Sequence, residues 1–391
     1  MEKIKVSVVG GGVVGCAVAY ELVKTGLRDV FLFEKLPFLG DAQSGRCSGV
    51  VHSGVYYQQG SLKARLCVHG NKLIYSFCKE NKIPCANAGK LIVAMNKEED
   101  KTLDYYFALS KSNGVECVRK ISGEEVKTYE PNISACSALL FPATGIVEPG
   151  ALVAKLAKLA RENGVEIMKE AEVCRIKPNE NSFVVTIKRR GVEEQFETEL
   201  LVNCAGLYSD EISRMVNPDS KYTVSPMRGE YFKFNRKRRP ELWLNKFNIY
   251  PVPRFSDVKG KKTLVVGIHL TPTFDVSGVD TSEIGDTVIV GPEFSPSDSK
   301  DDYESNRKPV SLFLEYAKKM LHGIIEDDLQ IDFAGIMANL ADGSDFIIEK
   351  DKTYPNFINL VGIDSPGLTS SLAIAQYVRD LLINRVGVLK S

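Results

Sequence analysis

The sequence predicts an α/β protein in which a parallel, doubly wound sheet domain is interleaved with a domain built on antiparallel sheet. Three observations predict this arrangement. A β-branched strand runs into a glycine-rich turn and a helix near residue 10, a second buried strand ends in a glycine turn near residue 206, and a third strand, turn and helix follow residue 356. Strand signals separated by Pro and Gly fill the intervals, which is typical of antiparallel sheet.

The first element is a turn suited to a bound dinucleotide. Residues 4–9 form a short β-branched run that predicts a buried parallel strand, and Gly10, Gly12 and Gly15 follow it with GxGxxG spacing. Gly10 permits the tight turn, and Gly12 lets backbone N–H groups approach a pyrophosphate. Gly15 lets the following helix lie close to the strand, so all three glycines have a physical role in this motif.

The elements after the glycines complete the same unit. A helix is predicted over about residues 13–24, and Gly26 supplies the left-handed residue expected past its end. A second strand over residues 30–33 leads to Glu34, about twenty residues after the glycines, where an acid can bind ribose hydroxyls. Strand, glycines, helix, strand and acid in this order predict an adenine dinucleotide site.

The remaining elements follow from periodicity and turn residues. Helices are predicted over about residues 61–79, 97–112, 150–163, 209–215, 309–322 and 367–384, with a short one opening at the capping box of residues 122–125. Strands are predicted near residues 88–94, 167, 173–176, 183–187, 200–204 and 357–361, an antiparallel sheet over residues 222–290, and an exposed loop over residues 295–307.

Composition excludes several classes of function. Fifty basic and fifty acidic residues give a formal net charge of zero, which argues against nucleic acid as a partner. The basic residues 236–239, followed by Trp243, are interpreted as a solvated loop, with contact to an anionic membrane as the alternative. We expect no metal site, since the nine cysteines lack ligand spacing.

The expected location is the cytoplasm, with peripheral contact at the inner face of the membrane left open. Met1 and the next two residues run directly into the first strand, so no signal or transit peptide is expected. No apolar run approaches the length of a membrane span. Cys16, Cys174 and Cys204 fall in predicted strands or helices and are expected to be small buried residues in a reducing compartment.

Several segments beyond the glycine turn carry a resemblance to a known family. They are residues 48–57, 60–67, 89–94, 144–147, 203–210, 228–231, 249–253 and 267–271. With these segments, nearly the whole chain resembles the FAD-dependent D-amino-acid-oxidase-like superfamily, and specifically its L-2-hydroxyglutarate dehydrogenase/oxidase branch. The resemblance implies a Rossmann-like FAD-binding domain interleaved with an antiparallel-sheet (α+β) substrate domain.

The resemblance also implies domain boundaries. The FAD-binding domain would be discontinuous, comprising residues 1–86, 144–220 and 335–391. The substrate domain would comprise residues 87–143 and 221–334. Simple nicotinamide dehydrogenases keep their Rossmann segments contiguous, so this interleaving favours a flavoprotein.

FAD is the cofactor that the resemblance implies. The helix that begins near Gly367 would place its N-terminus at the pyrimidine edge of the flavin, where N–H groups and the positive end of the helix dipole stabilise negative charge. The residues implied to bind FAD are Gly10, Gly12, Val13, Val14, Gly15, Glu34, Lys35, Ser48, Gly49, Val50, Val173, Ala205, Gly206, Gly362, Ser365, Gly367, Leu368 and Thr369.

Two departures from the family pattern bear on the substrate. The superfamily often has a Gly-Ile/Val-Arg-Pro segment whose arginine grips the substrate carboxylate, whereas this chain has Met337 after Gly335 and Ile336. Residues 364–367 read Asp-Ser-Pro-Gly, where the hydroxyglutarate branch tends to have Asn-Ala-Pro-Ser. The reaction class does not depend on these residues, but the identity of the substrate does.

Two histidines are candidate catalytic residues. His52 lies in the glycine-rich loop that the resemblance places at the flavin, and a catalytic or substrate-binding role is favoured there over a structural one. His269 ends a β-rich run over residues 263–268, and a catalytic role and a buried structural role are weighed evenly. Oxidising a secondary alcohol requires an acceptor for the hydroxyl proton, and imidazole suits this task.

Substrate-binding candidates surround these histidines. Arg228 is the candidate carboxylate clamp because a planar guanidinium fork matches a carboxylate, and its alternative role is an ion pair with Glu230. Tyr57 and Tyr250 are candidates for lining the pocket, with simple packing as the alternative. Lys63 is a candidate contact to cofactor or substrate, with surface exposure as the alternative.

The sequence therefore predicts an FAD-dependent enzyme that oxidises a small 2-hydroxy acid, with L-2-hydroxyglutarate preferred, by hydride transfer to flavin N5. The alternatives are a glycerol-3-phosphate dehydrogenase or oxidase, an amino-acid or amine oxidase of the same superfamily, and a non-catalytic dinucleotide-binding protein. The partner is a small carboxylate substrate, and the electron acceptor is open among oxygen, a quinone and a partner protein.

Overall fold

The structure is a computed structural model that describes residues 1–258, 261–274, 283–343 and 345–383. Its helices, in chain order, are α1 (Val13–Lys24), α2 (Leu62–Asn81), α3 (Lys97–Ser112), α4 (Gly123–Tyr129), α5 (Pro149–Glu162), α6 (Ser209–Val216), α7 (Val310–Met320) and α8 (Gly367–Ile383). The helices predicted from the sequence are all present, and α1 and α3 have the predicted ends. Asn384, the predicted end of the last helix, lies outside the described residues.

The strands build two large sheets and two small ones. In chain order they are β1 (Glu2–Val9), β2 (Val30–Phe33), β3 (Val50–Val51), β4 (Cys85–Ala86), β5 (Lys90–Ala94), β6 (Arg119–Ser122), β7 (Ser137–Phe141), β8 (Gly145–Val147), β9 (Val165–Met168), β10 (Ala171–Pro178), β11 (Phe183–Arg189), β12 (Val192–Asn203), β13 (Val224–Asn235), β14 (Asn248–Pro251), β15 (Arg254–Val258), β16 (Lys261–Val265), β17 (His269–Phe274), β18 (Ile284–Pro296), β19 (Leu329–Leu340), β20 (Ile347–Lys350) and β21 (Phe357–Val361).

The first large sheet has the predicted parallel centre. Its strand order is β10-β11-β12-β1-β2-β9, with β21 beside β12 and β20 beside β21. The pairs β12/β1, β1/β2, β2/β9 and β12/β21 are parallel, whereas β10, β11 and β12 pair antiparallel. Because the parallel strands share a direction, the turns after β1, β12 and β21 all open at one edge of the sheet, where ligands bind in such sheets.

Helices α1, α5, α8 and α2 pack into one core against the first sheet. The contact between α2 and α8 is close because Gly70 has no side chain. A Cβ atom at this position would lie 2.3 Å from the carbonyl oxygen of Thr369. The glycine therefore permits α8 to approach α2 at its first turn, near the cofactor end of the sheet.

The second large sheet has the order β19-β13-β18-β17-β14-β5-β7-β6. Its pairs are antiparallel except for β14 with β5, which is parallel and was not predicted. One face packs on α7, with Leu91, Ile249, Leu270 and Phe313 in a shared core. Since side chains alternate along a strand, the neighbouring residues point to the opposite face of this sheet.

The structure has two large sheets, and the division into interleaved domains stays a prediction. The predicted change of domain at residue 335 falls within β19. All of that strand pairs with β13 of the second sheet, from Leu329 to Leu340. A boundary after Leu340 keeps the whole of β19 with the second sheet.

Three local predictions also need correction. His269 begins β17 and does not end a strand. The predicted exposed loop of residues 295–307 begins within β18, and its Lys300 amine pairs with Asp210 at 2.8 Å. Cys174 is only half-buried, whereas Cys16 and Cys204 are buried as expected.

The basic residues 236–239 are mostly engaged within the protein. Arg236 is buried, donates to the carbonyl oxygens of Leu244 and Asn245, and lies 4.3 Å from the ring of Trp243. Lys237 pairs with Asp286, and Arg239 pairs with Asp328. The prediction of a simple solvated loop is therefore wrong for Arg236, which joins this turn to the sheet.

Candidate active site

One large cavity lies where the open edge of the first sheet meets the second sheet. Its volume is about 1680 Å³, more than the roughly 300–1,000 Å³ of an ordinary small-ligand pocket. Segments that are far apart in sequence line it, including Gly10, Gly49, Ala205, His269 and Gly367. The cavity therefore has room for a dinucleotide together with a small substrate.

The turn after β1 has the geometry that the glycine motif predicts. Gly10 has φ of +106°, and a Cβ atom there would lie 2.4 Å from the Cys204 carbonyl oxygen. At Gly15 a Cβ atom would lie 1.8 Å from the carbonyl oxygen of Gly10, so this glycine permits the helix–strand contact and does not line the cavity.

The start of α1 is open to the cavity. Gly12 occupies the N-cap position and has no side chain of its own to cap the helix. The hydroxyl of Ser44 accepts a hydrogen bond from the Val13 N–H at 3.0 Å, which joins the polar loop to the helix start. Gly12, Val13 and Val14 line the cavity at this helix start, where backbone N–H groups suit a pyrophosphate.

The part of the cavity predicted to hold the adenosine is formed at β2, β10 and β12. Glu34 is 8% exposed and accepts hydrogen bonds from the N–H groups of Gly11 and Leu36, both at 2.7 Å. Burial raises the pKa of its carboxyl above the ordinary value, and these two hydrogen bonds oppose that shift. The residues from this side that line the cavity are Glu34, Lys35, Val173, Ala205 and Gly206.

The part of the cavity predicted to hold the flavin, called the flavin side, is formed by the loop of residues 48–52 and the start of α8. The hydroxyl of Thr369 accepts from the His52 N–H at 2.9 Å and donates to the Val50 carbonyl at 3.2 Å. The side chain of Asn71 donates to the His52 carbonyl at 2.9 Å. These bonds fix both ends of the peptide that carries the histidine.

Most residues predicted on the flavin side do line the cavity, namely Ser48, Gly49, Val50, Ser365, Gly367 and Leu368. Two do not. Gly362 has φ of +70°, and a Cβ there would lie 2.4 Å from the side chain of Leu340, so it is required for packing. Thr369 is fully buried and acts through its hydrogen bonds to the loop. The prediction of direct FAD contact is not supported at these two positions.

His52 is half-buried and faces the cavity. Its Nε2 lies 3.4 Å from the hydroxyl of Ser365, at the start of α8. Burial, followed by the nearby charges of Lys90 and His269, lowers the pKa of His52 well below its ordinary value. The imidazole is therefore neutral at physiological pH.

His269 also lines the cavity, although it is only 5% exposed. Its ring stacks on Tyr250 with centroids 3.7 Å apart and an interplanar angle of 15°. Its Nδ1 lies 3.0 Å from the carbonyl oxygen of Gly267 and must donate to it, while Nε2 is buried and has no partner among the described residues. Burial lowers the pKa of His269 to about 3, so Nε2 carries an available lone pair.

The structure brings Lys63 and Tyr57 to the same cavity. The Lys63 amine forms a 2.7 Å ion pair with Asp364, and both side chains are largely buried. Burial raises the pKa of Asp364, while Lys63 opposes the shift. The positive charge of Lys63 is thus already balanced by Asp364, which argues against Lys63 as the only contact to an anionic ligand.

Arg228 does not have the predicted position. Its guanidinium forms a 2.9 Å ion pair with Glu230 and donates to the Asn306 carbonyl at 3.2 Å. Arg228 is absent from the cavity wall, although its neighbour Met227 lines it. The structural alternative, the ion pair with Glu230, is the role that the geometry supports.

Sequence reasoning missed several residues of the cavity wall, including Ser44, Arg46, Tyr208, Arg254, Lys300 and Tyr303. Arg254 directly follows the segment of residues 249–253, which carried the family resemblance, so its position offered a signal. Its Nη2 donates to the Tyr316 hydroxyl at 2.7 Å, and the residue is exposed. Lys300 was hidden in a polar run whose composition alone predicts solvent exposure.

The residues present fit a bound FAD. A Cβ atom added to Gly12 would lie 3.1 Å from Ser44 Oγ and would narrow the approach to the start of α1. The N-terminal ends of α1 and α8 line one cavity, with the buried acid Glu34 beside the first. This fold and this site define a dinucleotide-binding oxidoreductase of the flavoprotein class.

Comparison with known proteins agrees with this class. The family model for FAD dependent oxidoreductases matches residues 5–381. An L-2-hydroxyglutarate dehydrogenase of Indibacter alkaliphilus is 31% identical over 408 residues, covering 97% of this chain and 99% of that protein. A glycerol 3-phosphate dehydrogenase of Caloramator mitchellensis is also 31% identical, covering 97% of this chain and 74% of that protein.

Among solved structures, dithionite-reduced L-alpha-glycerophosphate oxidase from Mycoplasma pneumoniae with FAD bound has a TM-score of 0.85 and 27% identity. The match covers 98% of this chain and 95% of that one. The chain belongs to the FAD dependent oxidoreductase family. It is an FAD-dependent oxidoreductase, which confirms the predicted cofactor and enzyme class.

Two absences hold for the part of the chain that the structure describes. No group of three or more His, Cys, Asp or Glu side chains is arranged there to hold a metal ion. None of the helices described is long and apolar enough to cross a membrane.

We predict that Gly12→Leu abolishes FAD binding, because the added side chain would fill the approach to the N-terminus of α1. FAD content is measured by absorbance of the purified protein. Gly26→Asn is the matched control: this glycine lies past the other end of α1 in open space, and asparagine tolerates its positive φ. Normal FAD content in a folded Gly12→Leu protein would contradict the role given to this turn.

Proposed function

We propose that the protein oxidises a small 2-hydroxy acid, with L-2-hydroxyglutarate as the preferred substrate, to the 2-oxo acid. The observation that carries the proposal is His269, which lines the same cavity as the FAD-binding elements and whose buried Nε2 has no hydrogen-bond partner among the described residues. An alcohol substrate placed there has an acceptor for its hydroxyl proton. The L-2-hydroxyglutarate dehydrogenase of Indibacter alkaliphilus, similar over almost its whole length, supports the choice of substrate.

The reaction would divide its proton and hydride between two acceptors. His269 Nε2, or His52 in its place, takes the hydroxyl proton as the C–O bond becomes C=O. Bound FAD would supply the acceptor, at flavin N5, for the hydride that leaves the substrate carbon. His269 is the better supported acceptor, since its Nδ1 is anchored on Gly267 and its Nε2 has a fixed direction. The sequence favoured His52, whose ring has only a long contact to Ser365.

The substrate carboxylate needs a partner other than residue 337, where this chain has methionine on the cavity wall. We propose Arg254 for this role in place of Arg228. Arg254 lines the cavity that contains Tyr250 and His269, and no carboxylate pairs with it among the described residues. A guanidinium that is held by a single tyrosine hydroxyl retains donors for a carboxylate fork.

Glycerol 3-phosphate is the second candidate substrate. Both a glycerol 3-phosphate dehydrogenase and an FAD-bound glycerophosphate oxidase resemble this chain over most of its length. The two substrates share a secondary alcohol and an anionic group, so the same histidine and arginine would serve either reaction. The electron acceptor is oxygen, a quinone or a partner protein in this proposal.

We predict that L-2-hydroxyglutarate bleaches the bound flavin under anaerobic conditions faster than lactate or glycerol 3-phosphate does. The name of the similar Indibacter alkaliphilus protein, an L-2-hydroxyglutarate dehydrogenase matched over 99% of its length, supports this order of rates. Stopped-flow absorbance of the flavin gives the rate for each compound. Bleaching by glycerol 3-phosphate without bleaching by hydroxy acids would overturn the preferred substrate and favour the second candidate.

We predict that His269→Ala slows flavin reduction by roughly 10²–10⁴-fold, because the hydroxyl proton loses its acceptor. The loss should ease as pH rises and solvent accepts the proton. His52→Ala is the matched comparison and should change KM more than the limiting rate. A larger rate loss in His52→Ala would reverse the two roles, and near-normal rates in both variants would exclude an essential histidine base.

A further inference from the structure

A buried lysine lies directly behind the proposed proton acceptor. Lys90 begins β5 and is 1% exposed. Lysine is rarely buried completely unless an acid accompanies it. Among the described residues, no carboxylate forms an ion pair with Lys90. A buried charge without a partner is destabilising, so its presence here requires a reason.

Two aromatic rings enclose the amine of Lys90. Its Nζ lies 3.7 Å from the ring centroid of Tyr250 and 4.5 Å from that of Tyr56. The ring of His269 stacks on Tyr250 at 3.7 Å. Because His269 covers one face of the Tyr250 ring, the amine must cover the other. Lys90, Tyr250 and His269 therefore form one three-layer stack.

The register of the second sheet fixes this stack. Lys90 is paired with Asn248 across the parallel ladder of β5 and β14, and Ile249 is paired with Leu270 across β14 and β17. Side chains two residues apart share a face. Lys90 and Tyr250 thus lie on the face that bears His269, while Leu91 and Leu270 lie in the core on the other face.

The groups around Lys90 are neutral or basic. Those that interact with it or enclose it are Tyr56, Cys67, Tyr250, His52 and His269, with Tyr106 of α3 against the edge of Tyr56. Burial lowers the pKa of Lys90, as it must for an amine without a counterion. Lys90 in turn contributes to the lowered pKa of both site histidines.

We propose that Lys90 is a positioning residue: its amine, enclosed by Tyr56 and Tyr250, holds the stack that orients His269 before substrate binds. An imidazole must be neutral to receive the hydroxyl proton. Burial is the main cause of the lowered pKa of both site histidines, and the amine of Lys90 behind the stack adds to it. The anionic substrate then brings the negative charge that favours proton transfer. This inference rests on the proposed alcohol oxidation for its catalytic meaning.

The test compares histidine titrations in the holoenzyme. The chain has only four histidines, so the ring signals of isotopically labelled His52 and His269 can be assigned by NMR with single substitutions. In the unchanged protein both rings should stay neutral between about pH 5 and 8. In Lys90→Met, which keeps the aliphatic stem and removes the charge, the titration of one or both should move to higher pH. The pH below which the rate of flavin reduction falls should also move to a higher value.

Lys111→Met is the matched control. Its amine lies 4.1 Å from the ring of Phe107 on the exposed side of α3, so it removes a similar cation–ring contact away from the site. It should leave the histidine titrations unchanged. Lys90→Met should also keep or raise Tm, because methionine replaces a desolvated charge without a loss of volume.

Unchanged titrations of both His52 and His269 in Lys90→Met would overturn the proposal. A fall in Tm with no change in the acid side of the pH–rate profile would also overturn it, because that result indicates a purely structural lysine. If Lys90→Met fails to fold, Lys90→Gln decides the question by the same titrations. The titration needs no substrate. A failure of L-2-hydroxyglutarate to reduce the flavin would therefore overturn the proposed function, but it would not affect the outcome of the titration test of Lys90.

Discussion

The site depends on one side chain that joins two distant parts of the chain. The hydroxyl of Thr369, in the first turn of α8, bonds to both Val50 and His52. A buried hydroxyl that donates and accepts in this way fixes the relative position of its partners, since loss of either bond leaves a buried polar group unpaired. The helix start and the histidine loop are therefore held as one unit on the flavin side.

The other half of the site comes from the second sheet. The register of β14 with β5 and β17 brings Lys90, Tyr250 and His269 to one face. The opposite face of the same strands packs on α7 in an apolar core. The sheet therefore carries a polar stack on the face towards the cavity and an apolar core on the other face. The site lies where this face meets the open edge of the parallel sheet.

Much of this could be predicted from the sequence, and the failures have physical causes. The glycine turn with Gly10 and Gly12, and the acid Glu34 after it, were predicted because these residues are close together in sequence and each residue type has a specific role. Arg228 was assigned to the cavity wall incorrectly. The sequence indicates that Arg228 lies on a strand, but it does not reveal which face of that strand meets the cavity. Lys90 was overlooked because its meaning depends on pairing with β14, about 160 residues later in the chain.

The most direct test of this account is flavin reduction in Thr369→Val, which keeps the side-chain shape and removes the hydroxyl, compared with Thr369→Ser, which keeps the hydroxyl. Thr369→Val should retain FAD and slow reduction by roughly 10²-fold, the cost of a misplacement of about 1 Å in a site. Thr369→Ser should stay near the unchanged rate. Equal rates in all three proteins would contradict the claim that this hydroxyl holds the site together.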